Sequence, residues 1–307
     1  MFNNTDFDNK QLNDLIDIEK KIESNQEKNT LKEKELFSNF SKNILQHKCE
    51  AVLGIDIYKY SEYKILKQNL IPLVFNLLLN ETIDSIINSN DLSLFKNDIE
   101  MLKTRFISTG DGGFIFFNTP FHALIFNLHF HSVLHMYITG NFYPNLSRYV
   151  GNITIRSAIT FNDVYMYGNT SYGKAIIENS RILHKDRLNR FIIDKKTYNY
   201  FNKYFNGIET LSIMSTELIK EKTGIDVTEM SFFRNDNDKK NKNEFSDFPI
   251  IRNIHIQKIE DLFSKNTKLQ IYNIEIQYSA KWYNSKNPIL QELFLLTIGN
   301  LNINNIN

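Results

Sequence analysis

The chain has 307 residues, 42% of them hydrophobic, with 24 phenylalanines and a formal net charge of +1. This length and apolar content suffice for a large core, and the near-neutral balance gives no reason to expect a nucleic-acid or anionic-membrane partner. A single cysteine, Cys49, excludes an internal disulfide framework and a cysteine-rich zinc site, and it suits a reducing cytoplasm. The opening MFNNTDFDNKQ lacks a basic-then-apolar signal pattern. Runs such as LIPLVFNLLL fall short of the roughly 20 apolar residues a membrane span needs, so a cytoplasmic location is expected.

Residues 1–46 are polar, with apolar positions at helical spacing (Leu12, Leu15, Ile16, Ile22, Leu31, Leu36, Phe37, Phe40) and no Pro or Gly from about residue 8. They read as a helical extension, either a dimer contact or a solvated appendage. AVLGIDIY (51–58) is a short apolar strand broken by Asp56. Helical periodicity follows over 59–88, with Pro72 marking a kink or a new first turn. RFISTGDGGFIFFN (105–118) is two β-rich runs around an Asp-Gly turn, a hairpin signal. A long helix is expected over 121–138, a strand over 153–168, a helix over 173–185 and a strand over 190–194. The order β-α-β-β-α-β-α-β predicts an α+β fold, a ferredoxin-like palm with an antiparallel sheet under helices, whose core spans 47–205. The remaining 206–307 read as the C-terminal part of the same domain. They hold a mobile polar loop about 233–248, a strand at 269–278 and a terminal apolar helix at 287–301.

A carboxylate among apolar strand residues is costly unless it is paired or bound to a cation. Taken singly, Asp56 reads as a turn or helix cap and Asp111 as a hairpin-turn residue. Together they place two carboxylates at one edge of a sheet, where they repel unless a cation lies between them. Hard oxygen donors select Mg²⁺ or Mn²⁺, as two-metal phosphoryl transfer requires. His129, His131 and His135 put two imidazoles at i, i+4, but no third ligand is near, and they read as helix packing or surface.

GIDIYKYSEY resembles the first metal motif of class III nucleotide cyclases, with Asp56, Ile57, Tyr60 and Ser61 in the matching places. ISTGDGGFIFF resembles the second, through Gly110 and Asp111. IRSAITFNDVYMYG resembles the strand that follows, through Arg156, Ala158 and Ile159, and YGKAIIENSRIL the helix after it, through Gly173 and Arg181. The match covers about residues 50–195. It implies a palm fold, two Mn²⁺ or Mg²⁺ ions per site at Asp56, Ile57 and Asp111, and a homodimer with each site between two domains. It also implies substrate contacts at Tyr60, Ser61, Gly110 and Arg156, and Arg181 stabilising charge on the α-phosphate. Arg181 read alone is a solvated helix arginine, and Arg156 could bind triphosphate or pair with a buried acid.

The departures narrow the resemblance. The lysine common in purine cyclases falls at Ile107, the base-selecting residue at Thr170, and the ribose-orienting Asn at Ile177, with Asn179 or Glu178 as possible substitutes. The pattern resembles the bacterial branch that makes cyclic pyrimidine nucleotides, the Pycsar antiphage cyclases. In that branch Tyr58 and Arg105 would read the base; Arg105 alone is an exposed strand-start cation. Arginine, donor-only, suits uracil carbonyls better than the cytosine amino group. The expectation is therefore conversion of UTP to cyclic UMP, sensed by a separate cyclic-nucleotide-binding effector. A cytidylate cyclase, an adenylate cyclase with unusual base contacts and a nucleotide sensor without turnover are the alternatives.

Overall fold

The computed structural model describes residues 46–89, 92–96, 98–167, 170–204, 251–259, 261–264, 267–283 and 291–300, together with 17 and 20. The expected N-terminal extension (apart from 17, 20 and 46) and the polar loop about 233–248 lie outside them. The chain divides into two compact units, 1–48 with 165–170 and 49–164 with 171–307. The site lies in the second unit, described below.

Its first strands and helices follow in the expected order. β1 (Gln46–Ile57) leads through a 3-10 turn, Tyr60–Glu62, into α1 (Ile65–Ile87). Two short helices, α2 (Leu92–Phe95) and α3 (Ile99–Thr104), precede the hairpin β2 (Ile107–Ser108) and β3 (Gly112–Phe117). Next come α4 (Pro120–Ile138), α5 (Pro144–Val150) and β4 (Ile155–Tyr167). After β5 (Thr170–Tyr172) the chain forms α6 (Lys174–Lys185), β6 (Phe191–Asp194) and α7 (Lys195–Tyr204). Beyond residue 250 lie β7 (Ile251–Lys258), β8 (Leu262–Ser264), β9 (Thr267–Leu269), β10 (Ile271–Tyr283) and β11 (Gln291–Ile298).

The strand order β11-β10-β6-β4-β1-β3-β2 contains the ferredoxin-like run β4-β1-β3-β2, so the α+β palm is present. The sheet is mixed rather than wholly antiparallel. β6 runs parallel to β4, because the α6 crossover returns the chain in the same direction, while β10 is antiparallel to β6. Alternation along β1 feeds two cores. Ala51, Leu53, Ile55 and Ile57 join α1 and α4 on one face. Val52 joins Phe114, Phe116, Ala158 and the α6 residues Ala175, Ile182 and Leu183 on the other. Gly54 permits the second contact, since a Cβ there would lie 2.0 Å from Asn179 Oδ1 and 2.7 Å from Leu183 Cδ1.

Three further expectations need correction. The apolar run at 287–301 contains a strand over 291–298 instead of a helix, antiparallel to β10 with Ile276 opposite Ile298. A short apolar run has no decisive period, and the open edge of β10 decides it. Arg105 does not open a strand but ends α3, its N–H donating to Met101 O at 2.9 Å. Finally, α1 is long and apolar enough to cross a membrane by composition, though eight of its residues, Ile71 to Ile86, are buried in the protein.

Candidate active site

Backbone pairing brings the two carboxylates together. β1 and β3 run antiparallel with Asp56 opposite Gly112, and Ile57 N–H donates to Asp111 O at 3.0 Å. Asp111 therefore sits beside the end of β1 however its side chain turns. The hairpin closes through Thr109 N–H on Gly112 O at 3.0 Å, with Gly110 at φ 97°, a conformation other residues resist. Gly112 has no room for a side chain, since a Cβ would lie 2.1 Å from Ile55 O.

Arg156 reaches Asp56 from β4. Its Nε and Nη2 both lie 2.6 Å from Asp56 Oδ2, and its Nη1 donates to the carbonyl of Asp186. The paired side chains are 20% and 15% exposed. Burial pushes the Asp56 carboxyl up to about 6; Arg156 pulls it down, while the adjacent Asp111, close enough to share a proton, raises it. A cleft opens beside this cluster, lined also by Thr109, Phe114, Ser180, Leu183 and His184.

The donor set fits a hard divalent cation. A half-buried carboxylate that burial, with a second carboxylate beside it, makes reluctant to ionise is one that a bound cation would stabilise in its charged form. Ile57 can add only main-chain atoms, its side chain being 1% exposed in the core. No cluster of three or more His, Cys, Asp or Glu side chains occurs among the described residues, so further ligands would come from substrate, water or main chain.

No family model and no curated protein matches the chain. Solved structures to which it is similar include the adenylyl cyclase CyaB from P. aeruginosa, at 14% identity and TM-score 0.41, covering 75% of this chain and 95% of that one. The guanylate cyclase domain of RhGC from Catenaria anguillulae, in complex with GTP, is 13% identical with TM-score 0.40, over 74% and 96% of the two chains. An adenylate/guanylate cyclase/hydrolase from Silicibacter pomeroyi is 12% identical with TM-score 0.37, over 75% and 97%.

The other expected residues divide into near and far. Tyr58 lies beside Asp56, its hydroxyl donating to Arg187 O at 2.8 Å. Tyr60 is fixed by a consequence of Pro72. Lacking an N–H, Pro72 leaves the Gln68 carbonyl without its helical donor, and the Tyr60 hydroxyl supplies one at 3.2 Å. Ser61 is exposed on the same turn, its carbonyl accepting from Gln68 Nε2 at 3.2 Å. Arg105 stands apart from this cluster, forked on the 3% exposed Glu50 at 2.9 and 2.7 Å, with its guanidinium 4.6 Å from the centre of the Phe116 ring. Glu50 precedes Asp56 by six strand residues, about 20 Å of chain. Within the chain the structure therefore does not bring Arg105 to Asp56. Arg181 is partly exposed on α6 and outside the residues lining the cleft.

Asn179 and Glu178 cannot serve as ribose contacts. Asn179 is fully buried, donating to Val52 O at 2.8 Å and Ala158 O at 2.9 Å, and Glu178, 5% exposed, accepts from Asn162 Nδ2 at 3.0 Å. Ile177, at the expected ribose position, is exposed. His129 packs with its Nδ1 3.3 Å from Ser85 Oγ, and burial lowers the His131 pKa to about 4. Sequence reasoning missed Thr109, Ser180 and His184 as cleft residues. Helical spacing of Ser180 and His184 at i, i+4 was the available signal.

Proposed function

We propose that this chain is a metal-dependent nucleotide cyclase that closes a nucleoside triphosphate to its 3′,5′-cyclic monophosphate and releases pyrophosphate. The observation that carries the reading is the juxtaposition of Asp56 and Asp111 by the β1–β3 register, with Arg156 in the same cleft. Asp56 and Asp111 would hold the divalent cations, Mn²⁺ or Mg²⁺. Such a cation, when bound, supplies Lewis acidity at the 3′-hydroxyl and charge neutralisation at the phosphates. Arg156, paired with Asp56, would offer its guanidinium to triphosphate oxygens if the carboxylate were neutralised by a bound cation. In the reaction the 3′-oxygen forms a bond to the α-phosphorus as the bond to pyrophosphate breaks, and the 3′-proton leaves to solvent or a cleft group. The protein contributes position and charge.

The finer reading is a uridylate cyclase working as a homodimer in the cytoplasm. Its product, cyclic UMP, acts as an antiphage signal read by a separate effector. In a dimer, Arg181 of one protomer would serve the Asp56 cluster of the other. Pyrimidine reading rests on the resemblance, and it would require Arg105 to exchange Glu50, and the Tyr58 hydroxyl the Arg187 carbonyl, for the base.

The test is product formation from each of the four ribonucleoside triphosphates with Mn²⁺, beside an Asp56→Ala control. Cyclic UMP that vanishes in the control is the expected result. Cyclic CMP would move the assignment to a cytidylate cyclase, and cyclic AMP or GMP would remove the roles given to Tyr58 and Arg105. No product from any triphosphate would overturn the cyclase reading in favour of a binding domain.

A further inference from the structure

We infer that the turn joining α6 to β6, residues 186–190, positions the Asp56 cluster, with Asp186 and Arg190 as its positioning residues; this rests on the metal-site reading above. The two side chains form an ion pair only 1% exposed on either side, Arg190 Nη2 and Nε each lying 2.7 Å from Asp186 Oδ1. The same carboxylate accepts from Leu188 N–H at 3.3 Å and Arg190 N–H at 3.4 Å. One buried carboxylate thus closes the turn on itself.

Two carbonyls of this turn accept from side chains at the site, and a third pairs with the strand that carries Arg156. Asp186 O accepts from Arg156 Nη1, the guanidinium that grips Asp56. Arg187 O accepts from the Tyr58 hydroxyl at 2.8 Å, two residues past Asp56. Arg190 O accepts from Ser157 N–H at 3.0 Å, next to Arg156 on β4. The residues just past β1 and the start of β4, which bring Asp56 and Arg156 to the cluster, are therefore tied to one turn. A buried ion pair is a poor source of net stability, because desolvation offsets its attraction, and an apolar pair of equal volume would serve the core as well. What the polar pair supplies is direction. It sets the carbonyls that orient Arg156 and Tyr58, as outer hydrogen bonds orient the ligands of metal sites.

The experiment uses the full chain and Mn²⁺ alone as probe, with free Mn²⁺ read by electron paramagnetic resonance well below the unfolding midpoint. Asp186→Asn keeps the shape and removes the charge; Arg190→Lys keeps the charge and removes the fork. Leu188→Gly loosens the turn without touching the buried pair, and decides alone if the first two fail to fold. A folded Asp186→Asn or Leu188→Gly is expected to bind Mn²⁺ about tenfold more weakly than wild type, with Arg190→Lys between. Wild-type affinity in every folded variant would overturn the positioning role. Mn²⁺ binding that depends on the turn, in a wild type that makes no cyclic product, would support the role and overturn the cyclase reading alone. A wild type that binds no Mn²⁺ would overturn both.

Discussion

Replacing Arg156 with methionine should destabilise the metal-free protein in a pH-dependent way. The guanidinium places two N–H groups on Asp56 Oδ2 at 2.6 Å, with the side chains 20% and 15% exposed. Breaking a buried pair costs about 3–5 kcal/mol, and partial water access lowers that to about 2–3 kcal/mol here at pH 8. The pH dependence follows from Asp56, whose carboxyl burial and Asp111 already push up to about 6 against the pull of Arg156. Without Arg156 it must rise further. A carboxyl raised in the folded state binds its proton more tightly there than in the unfolded chain. Its destabilisation is absent below the unfolded value near 3.8 and fully present above the folded one. The Arg156→Met penalty should therefore shrink toward pH 5, leaving about 1 kcal/mol for the lost hydrogen bonds. Urea unfolding by far-UV circular dichroism at pH 5 and pH 8, with chelator present, measures both. A penalty equal at the two pH values, or larger at pH 5, would refute the account.

Glu50→Ala should cost about 3 kcal/mol by stranding Arg105, whose side chain is 13% exposed, and calorimetry showing no loss would mean the pair does not stabilise the fold. Gly112→Ala should weaken Mn²⁺ binding and destabilise by about 1–3 kcal/mol, since its Cβ would meet Ile55 O at 2.1 Å and force the hairpin off β1. Mn²⁺ titration with thermal melting checks both effects. Asp194 accepts from Thr197 N–H at 2.9 Å, and burial raises its carboxyl to about 6. Asn would keep an acceptor without the charge. Asp194→Asn should therefore gain on wild type as pH rises from 5 to 8, where wild type bears the cost of a buried charge, and a flat difference would contradict this.

Much of the framework was legible in the chain. The 51–58 strand, the Asp-Gly turn at 111–112, the long helix at 121–138 and the 173–185 helix all carry signals that arise among near neighbours. Period, turn residues and apolar length therefore suffice to read them. The order of those elements was enough to pair the ends of β1 and β3, and with them Asp56 and Asp111. Partners distant in sequence were not legible. Arg156 lies 100 residues from Asp56, Arg105 lies 55 from Glu50, and the 186–190 turn lies 129 from Tyr58 at Arg187. Whether residues 291–298 formed a helix or a strand depended on the free edge of β10, which no local window contains. An arginine in a sequence is compatible with many carboxylates. Only packing that removes water from both makes one of them its partner, because an unpaired buried charge costs more than any local preference repays.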